Sequence, residues 1–233
     1  MIFGLFPFDW TILLILPGFF ISLWAQIKVS STFKKYSKTA TARGLSGYGA
    51  ARRILDANGL SHVKIEQIRG ELTDHYDPRA NVIRLSESVY HATSPAAIGV
   101  AAHEAGHAIQ YAQNYAPINV RAKLIKVTNV GSMLSMPLFF IGLIMASPYL
   151  TYLGIALYSL VAIFQLVTLP VEFDASGRAL KVLSSSGILN DDELKASKKV
   201  LFAAAMTYVA ALLTSLLTLL RLLILANGRN NRN

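Results

Sequence analysis

The chain has 233 residues, is 53% hydrophobic and only 15% charged, and carries a formal net charge of +9. That is too apolar and too charge-poor for an ordinary soluble domain, and the Lys and Arg residues lie beside apolar segments rather than in an aromatic-interleaved patch, so they read as membrane orientation and contact with anionic lipid, with no nucleic-acid partner expected. There is no cysteine, which excludes a disulfide frame and a thiolate metal ligand; any metal must be held by His, Asp or Glu.

Residues 10–27 (WTILLILPGFFISLWAQI) carry no charge and match the length of a membrane span, with Pro17-Gly18 as a tolerated kink. The preceding stretch has no Lys or Arg and contains Asp9, which suits a retained anchor better than a secretory signal. Lys28, Lys34, Lys35, Lys38 and Arg43 follow as a basic linker, which the positive-inside rule places on the cytoplasmic side. Ser46 is a helix cap for a segment reaching about Asn58, where Gly59 stops it. Residues 62–69 and 80–86 read as two short strands, separated by Gly70 and Asp77-Pro78 as turn signals. Between them Thr73–Arg79 is rich in polar side chains and reads as a turn, either solvated or close to a site. A strand edge here could pair with a substrate backbone, and a proline at Val82 or Ile83 would test that.

Ser94-Pro95 opens a helix reaching about Asn114, lined by Ala and Gly and able to approach its neighbours closely. Within it lies His103-Glu104-Ala105-Gly106-His107. Residues i and i+4 of a helix share a face, so both histidines can reach one metal ion while Glu104 meets a metal-bound water. Residues 127–171 then carry no charge and are long enough for two spans, about 129–147 and 149–169, turning at Ser147-Pro148. Such a hairpin returns the chain to the side of His103. There Glu172 and Asp174 stand at the mouth of a span, where acidic side chains imply function. Asp191-Asp192-Glu193 opens a further helix, and 200–226 is a last apolar segment interrupted by Arg221. The end, 227–233, reads as a tail, with Asn230-Asn231-Arg232-Asn233 expected to be disordered.

A hydrolytic zinc site uses three protein ligands and keeps a place for water. His103 and His107 are two; Glu172 is the expected third, with Asp174 the alternative and His62, His75 and His91 also possible. Glu104 is the expected base, moving the water proton to the leaving amine. Arg178, His75 and Tyr76 are the candidates for steadying the oxyanion, and Asp174 for orienting a ligand histidine.

Several long motifs in order, GYGAARRILDANGL, LTDHYDPRANVIRLSESVY, GVAAHEAGHAIQYAQ and LPVEFDASGRAL, resemble the neutral zinc metallopeptidases of the YugP-like group of bacterial membrane proteins. The resemblance implies His103 and His107 as zinc ligands and Glu104 as base. The layout is also similar to HtpX-like and CAAX-prenyl membrane proteases, whose third ligand lies in an E-x-x-x-D motif after a membrane hairpin. That motif falls here on Glu172, but Ser176 stands where its Asp would be, leaving Asp174 to take over the supporting role. The expectation is a mainly α integral membrane protein with about four membrane helices and a small α+β, zincin-like catalytic part. Its expected segments are an anchor (1–27), a part with short strands and the catalytic helix (28–128), a hairpin (129–169), a third-ligand helix and loop (170–199), a C-terminal span (200–226) and the tail. The expected activity is that of a zinc endopeptidase with one Zn2+, acting on peptides or proteins, membrane proteins among them. Its expected setting is the bacterial inner (plasma) membrane, with the site facing the cytoplasm. The competing readings are a catalytically silent, zinc-stabilised scaffold or chaperone, and a metal transporter.

Overall fold

The computed structural model describes residues 10–230. In chain order the elements are α1 (Ile12–Tyr36), α2 (Gly47–Ala57), β1 (Lys64–Ile68), β2 (His75–Asp77), β3 (Val82–Ser86), α3 (Glu87–Tyr90), α4 (Pro95–Ala112), α5 (Ala116–Ile144), α6 (Pro148–Ser185) and α7 (Asp191–Asn230). The protein is mainly α, with one small sheet. Among the described residues four helices, α1, α5, α6 and α7, are long and apolar enough to cross a membrane. The chain separates into two compact units that interleave along the sequence rather than following each other as six segments.

The first unit takes residues 10–24, 120–168 and 207–230. Close backbone approach dominates it. A Cβ on Gly18 would meet Thr214, one on Gly142 would lie 2.4 Å from the Thr151 nitrogen, and one on Gly154 would lie 2.7 Å from the Ser135 carbonyl. Small residues let helices pack where lipid removes the usual hydrophobic drive. Ala146, at φ 52°, turns the expected hairpin, and Ser147 N–H closes it on the Gly142 carbonyl at 2.9 Å. Arg221 donates to the Thr11 hydroxyl at 3.1 Å, which gives this half-buried cation a polar neighbour.

The second unit takes residues 25–119 and 169–206. Its sheet has the order β1-β3-β2, with β1 parallel and β2 antiparallel to β3. One face of the unit is a core of Ile54, Leu55, Ile83, Leu85, Ile98 and Leu183, all essentially inaccessible. Helix α4 runs through this core. Ser94 caps it, accepting from Ala97 N–H at 3.2 Å, and Pro95 takes the first position, where its missing N–H is not needed.

Four features differ from the sequence reading. Helix α1 continues to Tyr36, so Lys28, Lys34 and Lys35 ride on its last turns instead of forming a linker. The polar stretch 73–79 contains a third strand, β2, so the 80–86 strand is central and both its edges are occupied. Val82 and Ile83 therefore cannot accept a substrate strand; only β1 and β2 keep an open edge within this sheet. Helix α6 runs unbroken through Pro170, so no separate third-ligand helix starts there. Proline costs it one hydrogen bond, but Val171, Ala175, Ala179 and Leu183 form a fully buried stripe that holds the helical path. Likewise Asp191 and the last apolar segment belong to one helix, α7, which extends to Asn230. Asn190 caps it, its side chain accepting from Asp192 and Glu193 N–H while Glu193 takes the Asn190 N–H. Residues 231–233 of the tail and 1–9 of the anchor lie outside the described residues.

Candidate metal centre

Two helices of the second unit each offer an i, i+4 pair. His103 and His107 project from α4; Glu172 and Ser176 project from α6. The helices can come this close because residue 106 is glycine. A Cβ there would lie 2.6 Å from the Ala175 carbonyl oxygen, well inside contact distance. The Nε2 atoms of His103 and His107 lie 3.3 and 3.7 Å from the same oxygen of Glu172, Oε2. The three ligand atoms are all within 4.8 Å of one another. For comparison, bonds of about 2.1 Å at tetrahedral angles put ligand atoms about 3.4 Å apart. Two imidazole nitrogens and a carboxylate oxygen, at that separation and largely buried, fit zinc. Asp174, the alternative ligand, is not in this group.

The far nitrogens of both rings are tied down. His103 Nδ1 meets the Ser176 hydroxyl at 3.1 Å. His107 Nδ1 meets Gln110 Oε1 at 3.0 Å. The Gln110 amide then donates to the Val171 carbonyl at 2.8 Å and to Asp174 Oδ2 at 2.7 Å. Arg178 donates to that same Asp174 oxygen, and to the Gln113 side chain. Asp174 thus reaches His107 through an amide rather than directly.

Glu104 is 7% exposed, and burial pushes its carboxyl up from the ordinary range, against the pull of His103 and His107. Glu172 and Asp74 act on it in the same direction as burial. Asp74 is itself mostly buried, its carboxylate accepting from the Ser86 N–H and hydroxyl. Burial raises its carboxyl too, opposed by those Ser86 bonds. The two neighbouring candidates are engaged elsewhere: His75 Nδ1 lies 2.9 Å from the Thr73 carbonyl, and Tyr76 donates its hydroxyl to Asn81 at 2.8 Å. The structure therefore brings together His103, Glu104, His107 and Glu172, with Asp174 and Arg178 behind them, and gives His75 and Tyr76 no bond to any of these.

Residues 11–227 match the family described as "Putative neutral zinc metallopeptidase". The chain belongs to this family. Over 211 residues it is 50% identical to the "Putative membrane protease YugP" of Bacillus subtilis (strain 168), an alignment covering 90% of this chain and 94% of that protein. No solved structure matches it.

Within this family member the missing Asp of the E-x-x-x-D pattern now has an account. Ser176 stands at that position and its hydroxyl takes the His103 ring. Gln110, Ser176 and Asp74 are the site neighbours to which sequence reasoning gave no role, Ser176 having been noted only as a departure from the E-x-x-x-D pattern. The first two had a signal. Gln110 lies three residues after His107 and Ser176 four after Glu172, the spacings at which helical side chains meet. Asp74 had only its place in a polar stretch.

Proposed function

We propose that this protein is an integral-membrane zinc endopeptidase, with its site on the cytoplasmic side of a bacterial inner membrane. The observation that carries the activity is the convergence of His103 Nε2, His107 Nε2 and Glu172 Oε2 beside the buried carboxylate of Glu104. The side assignment rests on Lys28, Lys34, Lys35, Lys38 and Arg43 following the first span. His103, His107 and Glu172 would hold one zinc ion. When bound there, zinc supplies a Lewis acid that makes water a better nucleophile and polarises a peptide carbonyl. Glu104 takes the proton of the attacking water and returns it to the departing amine. Its seclusion suits that traffic, since burial weakens its preference for the ionised form. Ser176 and Gln110 keep the two rings turned so that their Nε2 atoms face Glu172.

The test is metal content and peptide hydrolysis by the detergent-purified full chain, as wild type, Glu104→Gln and Glu172→Ala. Glu104→Gln should keep zinc and lose on the order of 10²–10⁴ in turnover. Glu172→Ala should lose zinc. Metal retention by Glu172→Ala at the wild-type level would remove Glu172 from the ligand set. Unchanged turnover in Glu104→Gln would remove the base, and with it the peptidase reading.

A further inference from the structure

We propose that Gln110 is a positioning residue that locks His107 in a single tautomer, and that it does so because Asp174 and Arg178 lock Gln110. The inference rests on the reading of His103, His107 and Glu172 as a zinc site. Gln110 has no accessible surface, so each of its polar atoms must be matched inside the protein. On one side it faces the Val171 carbonyl and an Asp174 oxygen, two acceptors. On the other it faces His107 Nδ1. An amide has one donor end and one acceptor end. Turning it over would aim its oxygen at a carbonyl and a carboxylate, so the NH2 group must point there. That leaves Oε1 for His107, and Oε1 can only accept. His107 Nδ1 therefore carries the proton, and its Nε2 keeps the lone pair that a metal needs. The direction is imposed from outside the pair. Arg178, donating to the same Asp174 oxygen, holds that carboxylate in place.

His103 is held differently. Its partner, the Ser176 hydroxyl, can donate or accept, so that bond orients the ring without choosing its tautomer. The two histidine ligands are thus supported unequally, and only His107 is wired to a charge.

A packing role and a directional role for Gln110 separate by compensation. In Gln110→Glu the size is kept and an acceptor still faces His107, but a carboxylate now confronts Asp174. In Gln110→Glu/Asp174→Asn an amide donor replaces that repulsion, leaving the amide oxygen for Arg178, which in wild type shares one Asp174 atom with Gln110. Zinc affinity of the full-length protein in detergent should fall about 10–100-fold in Gln110→Glu, the usual range for losing an outer partner of a ligand histidine. The measurement belongs at about pH 8, well above the ordinary glutamate range. The double variant should recover part of the loss, since only the contact with residue 174 is restored. If the double variant binds zinc no better than Gln110→Glu, through weak affinity or through failure to fold, the directional role is wrong. A second readout needs no metal. In chelator-treated wild type, at a pH high enough for the His107 ring to be neutral, 15N histidine spectra should show its single proton on Nδ1; a mixture of tautomers, or the proton on Nε2, would overturn the proposal. This readout still decides the role of Gln110 if wild type were found to bind no zinc at all, an outcome that would instead overturn the metal reading.

Discussion

At the residue scale the centre is built from side chains whose second polar atom is already spoken for. Glu104 is the residue to which the proposed mechanism gives the proton transfers, and its burial carries a consequence for stability. Its folded carboxyl titrates above its ordinary value, so the folded state binds this proton more tightly than the unfolded state. The associated stability is present below the ordinary carboxylate range and is lost as pH rises through the folded value. After chelation, wild type should therefore lose stability as pH rises from the carboxylate range toward neutrality. Glu104→Gln should lose less, and should be the more stable of the two at neutral pH. Thermal unfolding in detergent across that range checks it; equal slopes for both proteins would contradict the burial argument. The residues of this site were legible where they follow helical spacing. His103, Glu104 and His107 announce themselves, and Glu172 was reachable because a charge-free stretch of even span number brings the chain back. The polar support was less legible because hydroxyl and amide side chains are common on helices and gain meaning only from what faces them.

At the scale of elements the contact of α4 with α6 decides the geometry, and Gly106 decides the contact. Gly106→Ala places a methyl group against the Ala175 carbonyl. Because the obstacle is backbone, the helices must part, at about 1–3 kcal/mol, and zinc affinity should fall with stability. Gly177 provides the control on α6, the helix that carries Ala175: a Cβ there meets nothing within 4 Å, and Gly177→Ala should stabilise the protein by about 0.5–1 kcal/mol. Denaturation midpoints and zinc titration of both variants distinguish contact from helix propensity. Opposite signs are expected; equal effects would mean that the approach at Gly106 does not matter. Helix α4 itself was readable from Ser94-Pro95 and from its small residues. Strand β2 was not. It is three residues long, mostly polar, and carries no alternation to see; it exists because β3 offers it a partner. The continuity of α6 was hidden for the opposite reason. Pro170 and the acidic residues after it resemble a boundary, and only the buried stripe from Val171 to Leu183 shows why the helix goes on.

At the scale of the whole molecule the composition already indicated a membrane protein with a small mixed part, because too few charges are present to cover 233 residues in water. What composition could not show is that the two units are interleaved, with α1, α5, α6 and α7 each supplying residues to both. No single cut through the chain isolates the second unit, and any cut within residues 120–168 divides it. A fragment of residues 1–126 retains His103, Glu104 and His107 but lacks Glu172 and the buried stripe of α6. It should bind no stoichiometric zinc and hydrolyse no peptide, whereas co-expression with residues 127–233 should restore both to a measurable level. A fragment that binds zinc as tightly as the full chain would show that α4 suffices.

The same arrangement sets an order in time. During synthesis His103 and His107 leave the ribosome well before Glu172, and the uncharged residues 127–171 lie between them. On the proposed reading, the last ligand can join the first two only after that apolar interval has been made. If the proposed function holds, a newly made molecule would have an incomplete site, and so no peptidase activity, until residues after 171 are in place.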